Sequence, residues 1–139
     1  MIACAYVRDG KCIANGVGDG SIQVWNLKLG WGSTPNLYVS KGHDDDITGL
    51  QSFSDGNILL SRNTDETLKV WDLRKTINSL QVFKGLPNNY AKTNVVFSPD
   101  ERLIYTGTFV ERDGNSGGLL CFYNMQTSSL NKCKTGAWF

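Results

Sequence analysis

His43 is the single histidine of the 139 residues, and it stands directly before Asp44, Asp45 and Asp46. An imidazole flanked by carboxylates could ligate a metal ion or work as an acid–base pair. The plainer reading is a Gly42-His43 step that opens a strand-rich unit, with Asp44 to Asp46 as a solvated loop. Other chemistry has thinner support. Gly16-Val17-Gly18-Asp19-Gly20 looks like a phosphate loop but has neither the Lys-Ser/Thr nor the strand–loop–helix setting that such a loop needs. No serine sits in a nucleophile-elbow motif. Cys4, Cys12, Cys121 and Cys133 contain no Cys-x-x-Cys pair, so a structural zinc site is not expected. Trp71-Asp72-Leu73-Arg74 holds more promise: Asp72 can bond locally while Arg74 offers a rigid five-donor fork, a group enriched at protein-interaction hot spots.

The elements that would position these groups come from a repeat. Gly18-Asp19-Gly20-Ser21-Ile22-Gln23-Val24-Trp25-Asn26 returns as Thr64-Asp65-Glu66-Thr67-Leu68-Lys69-Val70-Trp71-Asp72, with the tryptophans 46 residues apart. Asp9-Gly10 and Asp55-Gly56 keep the same interval, and Ser98-Pro99-Asp100-Glu101 follows 45 residues later. Asp accepts backbone hydrogen bonds and Gly or Pro supplies the turn dihedrals, so these are tight turns between strands. Strands are expected at 2–7, 11–17, 21–27, 47–53, 58–62, 67–71, 79–83, 93–97, 103–108 and 119–123, with a short outer strand within 37–39. No strong helix emerges. Glu111 to Gly118 reads as a charged, glycine-rich insertion, and Thr127 to Phe139 has little pattern. The balance of 14 basic and 13 acidic residues favours neither nucleic acid nor an anionic surface. There is no apolar run of about 20 residues to cross a membrane as a helix.

A period of 40–50 residues built from short strands, one ending in Trp-Asp, resembles WD40 repeats. The fold expected is all-β: about three four-stranded antiparallel blades of an incomplete, seven-bladed propeller. The units would be a partial blade at 1–27, a complete blade at 42–83, a looser blade at 85–125 and a tail at 126–139. Propellers close with about four to eight blades, so three suggest a piece of a larger ring that could self-associate. In such blades the histidine joins a hydrogen-bonded set with an Asp, a Ser/Thr and the Trp, here His43, Asp65, Ser61 and Trp71.

More narrowly the chain resembles the WD-repeat-containing protein 70, or gastrulation-defective, family. The residues that carry this are His43 to Thr48, Leu59 to Arg62, Trp71 to Arg74, Gly85-Leu86-Pro87, Val96 to Thr108 and the glycine-rich insertion before Leu119. The resemblance implies a non-catalytic nuclear scaffold linked to the DNA damage response and histone H2B ubiquitination. It also implies association with cullin-4 ubiquitin ligases through their damage-binding adaptor. The adaptor-binding box of such receptors is matched by Leu59, Leu60, Ser61, Asp65, Trp71, Asp72 and Arg74; Arg62 and Asn63 replace small residues. Asp72 and Arg74 are the partner-binding candidates. No catalytic residue, metal or cofactor is expected, and no direct contact with nucleic acid or membrane. The alternative is a propeller carrying a ligand-binding or enzymatic site on its rim loops.

Overall fold

Alternation of apolar residues forms the first sheet. In β2 (Cys12–Gly16) and β3 (Ile22–Asn26) the side chains of Cys12, Ala14, Ile22 and Val24 are buried, while Ile13, Asn15, Gln23 and Trp25 take the other face. A period of two sends successive residues to opposite faces. β1 (Cys4–Val7) flanks β2, and β4 (Leu37–Val39) flanks β3, giving the order β1-β2-β3-β4. This computed structural model describes residues 3–7, 10–28, 34–39, 41–75, 79–84, 94–112, 115–127 and 129–135. For 109–112, 115–116, 119 and 129–135 only the backbone path is described.

Two further sheets repeat the plan. The second runs β5 (Ile47–Ser52), β6 (Ile58–Asn63), β7 (Leu68–Asp72) and β8 (Ser79–Phe83). The third runs β9 (Val95–Phe97), β10 (Leu103–Arg112), β11 (Asn115–Asn124) and β12 (Ser129–Thr135). Every neighbouring pair within the sheets is antiparallel. The sheets stack through two apolar clusters. Val7, Ala14 and Val24 of the first meet Leu50, Leu59 and Trp71 of the second. Leu60, Leu68 and Val70 on the opposite face of the second meet Val95, Ile104 and Tyr123 of the third. The middle sheet is therefore covered on both faces.

The turns repeat as the sequence indicates. Asp55 Oδ1 accepts from Asn57 N at 2.8 Å, and Asp100 Oδ1 from Arg102 N at 3.2 Å. The next position is left-handed in each repeat, Gly10 at φ 76°, Gly56 at 69° and Glu101 at 57°. A glutamate there is strained. Its carboxylate offsets this by accepting from Ser54 N at 2.5 Å and Ser54 Oγ at 3.0 Å, which binds the third turn to the second.

The short outer strand expected within 37–39 is β4, which completes the first sheet through Ile22↔Val39 and Val24↔Leu37. Two expectations need revision. The glycine-rich insertion is not a loop, because β10 and β11 pair without interruption from Leu103↔Asn124 to Arg112↔Asn115. Ladder hydrogen bonds there do not depend on apolar side chains. The tail contains β12, which pairs with β11 from Asn124↔Ser129 to Leu119↔Thr135 around one bulge. An outer strand has one neighbour, so lysines and polar residues suit it and blur its pattern. Gly85-Leu86-Pro87 lies outside the described residues.

Gly20 shows how closely the first two sheets are joined. Its φ is +80°, and a Cβ added there would lie 1.9 Å from the His43 carbonyl oxygen. Gly10, at φ +76°, has nothing within 4 Å of such a carbon. Gly10→Ala should therefore cost about 1 kcal/mol, the left-handed backbone alone. Gly20→Ala should cost about 3 kcal/mol or more, since backbone must also shift. Urea unfolding of the two variants measures the gap.

Candidate functional site

The loop from Gly42 to Asp46 carries the chain from the first sheet to the second, and both sheets grip it. His43 N donates to Gly20 O at 2.9 Å, from the turn before β3. Asn63 Nδ2 donates to Asp45 O at 2.5 Å and Thr64 N to Asp46 O at 3.2 Å, from the turn after β6. Lys69 Nζ donates to Gly42 O at 2.7 Å. The imidazole of His43 is thereby driven into the second sheet and is 1% exposed.

There it meets the three residues expected and one more. His43 Nε2 lies 2.6 Å from Ser61 Oγ, and Trp71 Nε1 donates to the same oxygen at 2.8 Å. His43 Nδ1 lies 3.3 Å from Asp65 Oδ2 and 3.1 Å from Thr67 Oγ1. Asp65 also accepts from Thr67 N and Oγ1, and from Asp44 N. An ionised carboxylate only accepts, so the proton belongs on Nδ1. The order of donation is then fixed: the Trp71 indole to Ser61, the Ser61 hydroxyl to His43 Nε2, and His43 Nδ1–H toward Asp65 and Thr67. Each hydrogen is used within the set. Thr67 had a readable signal, its place two residues after Asp65, where a short side chain closes an Asx turn.

The charge balance follows from burial. Desolvation holds the His43 pKa down at about 4, outweighing the attraction of Asp65, and Lys69 adds to the depression. Burial alone would raise Asp65, but hydrogen bonds from Thr67 and the Asp44 amide, with the pull of His43, leave its pKa below the ordinary value.

Ser61, His43 and Asp65 share the connectivity of a nucleophile–base–acid relay. Three features make this set a tie rather than a catalytic centre. Ser61 is wholly buried, its oxygen already accepts a hydrogen bond from the indole N–H, and a His43 pKa held down at about 4 makes the imidazole a poor general base. The metal reading of His43 with Asp44 and Asp46 is also superseded, because both ring nitrogens are engaged within the sheet while the three aspartates are exposed. Among the described residues no group of three or more His, Cys, Asp or Glu could hold a metal ion.

The partner-binding candidates lie at the other end of the strands. Asp72 accepts from the Arg74 backbone N at 2.9 Å, and equivalent turns occur at Asn26 with Lys28 N and at Asn124 with Gln126 N, both 2.8 Å. This turn is therefore a property of all three sheets. The middle one adds a paired contact, Arg74 Nε and Nη2 to the two Asp72 oxygens at 2.9 Å each. That pairing holds the Asp72 carboxyl down at about 2. Asp72 is nearly buried and the Arg74 side chain is 61% exposed, so the guanidinium lies on the surface in a fixed orientation rather than projecting freely.

Arg62 went unrecognised as a core residue. It is fully buried between the second and third sheets, where its Nη2 donates to Gly107 O at 3.2 Å. Burial lowers its pKa to about 10, with Tyr123, Cys121 and Asp65 opposing. It stands in the adaptor-like box of the sequence but away from the surface. The available signal was its place in a strand two residues after Leu60, on the same face.

Stability should respond to pH through His43. Its ordinary pKa is 6.5 and its folded value about 4, so between them the unfolded chain binds more protons. The contribution is complete above about pH 6.5 and shrinks as pH falls toward 4, by about 3 kcal/mol in all. Asp65, with its lowered pKa, adds a further loss at still lower pH. His43→Gln should remove the first component, and Asp65→Ala should cost about 1–3 kcal/mol at pH 7 by leaving buried donors unpaired. Denaturant titrations from pH 8 to pH 4 check both.

Comparison with known proteins agrees with this geometry. The family model for the WD domain, G-beta repeat, matches residues 35–72. That span takes β4 of the first sheet together with β5, β6 and β7 of the second, with His43 between them. WD repeat-containing protein 70 of Xenopus tropicalis is 42% identical over 119 residues, covering 86% of this chain and 19% of that protein. The human WD repeat-containing protein 70 is 41% identical over 121 residues, 86% of this chain and 18% of its own length. The Drosophila melanogaster gastrulation defective protein 1 homolog is 35% identical over 127 residues, 90% and 19% respectively. The chain thus spans about a fifth of the length of these curated relatives.

Proposed function

Since the chain is a WD40-repeat protein resembling WD repeat-containing protein 70, built as propeller blades, we propose that it is a non-catalytic protein-interaction scaffold. Its partner is the damage-binding adaptor of cullin-4 ubiquitin ligases, and its setting is the nucleus, in the DNA damage response and histone H2B ubiquitination. The family resemblance supports the setting. The observation that carries the contact is Arg74. Of the three equivalent turn residues, Lys28, Arg74 and Gln126, Arg74 alone has its side chain tied to the turn's own carboxylate. A guanidinium held in place loses little freedom when it meets an acidic group on a partner. Asp72 is then a positioning residue, because it also closes the turn.

Capture of the adaptor by the chain tests this. Arg74→Ala should weaken capture at least several-fold and leave the melting curve near that of the wild type. Lys84→Ala, an exposed cation elsewhere, should change neither. Equal capture by all three proteins would remove the adaptor assignment and leave a scaffold with a different partner.

A further inference from the structure

Cys4 is exposed, while Cys12 and Cys121 are buried. Across the ladders Cys4 lies opposite Asn15, and Cys12 lies opposite Val7 and Asn26. On the third sheet the register places Cys121 of β11 directly opposite Cys133 of β12. The pairing is continuous there, from Leu119↔Thr135 through Leu120↔Lys134 and Cys121↔Cys133 to Phe122↔Lys132, and the bulge comes only after Phe122. Directly opposite residues of an antiparallel pair have Cα atoms about 4.5 or 5.5 Å apart, depending on whether they exchange hydrogen bonds. Both values fall inside the range of about 4.4–6.8 Å that a disulfide bridges. The repeat does not require this pair, since the corresponding ladder positions are Gln23↔Tyr38 on the first sheet and Lys69↔Val82 on the second.

The surroundings of Cys121 favour thiol chemistry. Thr106 lies opposite it on β10, and the next residue, Gly107, accepts from the buried Arg62 guanidinium at 3.2 Å. The Arg62 charge and Cys121 interact electrostatically. A nearby cation stabilises the thiolate, the form that attacks a disulfide. Among the described residues β12 has a neighbour on one side only, and local opening of such a strand admits an oxidant. We propose that Cys121 and Cys133 are a redox-responsive site, forming a reversible disulfide that fastens β12 to the third sheet. The oxidant is a low-molecular-weight disulfide such as oxidised glutathione. One cysteine thiolate attacks it, forming a mixed disulfide and releasing one glutathione thiol. The second cysteine then attacks the sulfur of the first and releases the other. The S–S bond of the oxidant is broken, the protein S–S bond is made, and two electrons and two protons leave on the two glutathione thiols. In a reducing compartment the pair stays as thiols, so the bond responds to oxidation rather than serving as a permanent staple.

Mapping the bond on the 139-residue chain tests this. The Cys4→Ser protein is equilibrated in glutathione buffers of rising oxidised fraction, alkylated and cut with trypsin. Lys132 and Lys134 make the result unambiguous, because the bond alone would join the fragment from Asp113 to Lys132 to the dipeptide Cys133-Lys134. The expected result is that joined fragment, reversed by dithiothreitol. With it should come a melting temperature several degrees higher and about tenfold slower amide exchange along β12. Cys133→Ser in the same background should keep the circular dichroism of the reduced protein and lose all three responses. The proposal fails if both cysteines carry glutathione or the alkylating group at the highest oxidised fraction. It fails equally if the joined fragment forms only in denaturant, or forms without slowing exchange in β12.

Discussion

A neutral imidazole with its proton on Nδ1 is the constraint on which the arrangement of the first two sheets depends. His43 lies on the only described stretch that leads directly from one to the other, and its backbone and side chain face different sheets. The backbone N–H is held by Gly20 of the first; the ring nitrogens are held by Ser61, Asp65 and Thr67 of the second. A protonated ring would donate from Nε2 as well, and the Ser61 hydroxyl, which accepts from Trp71, would have to turn its own hydrogen away from the ring. The network as drawn fits the neutral ring. Burial enforces that state, and the state in turn orients the indole, whose ring fills the interface between the sheets. In low-dielectric surroundings, a fully satisfied set of this kind selects one arrangement over its competitors.

The same loop explains why the repeat in the sequence and the sheet in space are out of step. The matched WD repeat begins in the outer strand of one sheet and ends in the third strand of the next. Each repeat therefore ties two neighbouring sheets covalently, and the His43 network sits at the tie. Where the chemistry was dense, the sequence made this legible. Gly42-His43, Ser61, Asp65 and Trp71 stand at positions that leave few alternatives, and the Asp-Gly turns show where strands reverse. It was much less legible where pairing rests on the backbone. β12 and the outer part of the β10–β11 hairpin are held by ladder hydrogen bonds that any residue but proline can make, so side-chain pattern says little about them. Arg62 was hidden for a different reason: a guanidinium between Ser61 and Asn63 reads as surface, and its burial against the third sheet, with the bond to Gly107, places it inside.

Separation of structure and surface is the functional consequence. The Ser–His–Asp connectivity that would suggest catalysis is sealed inside a sheet and serves packing. The exposed chemistry lies at the opposite strand ends, where Asp72 both closes its turn and aims Arg74. In the scaffold role proposed above, this division would let contact residues vary without disturbing the network that holds the sheets together.

The protonation state of His43 is the most direct test of the account. With one histidine in the sequence, its two ring nitrogens give an unambiguous pair of signals in a ¹⁵N spectrum of the labelled chain. At pH 7 the account predicts a protonated, pyrrole-type Nδ1 and a bare, pyridine-type Nε2, together with a Trp71 indole proton protected from exchange. A proton on Nε2, or an imidazolium with protons on both nitrogens, would contradict it.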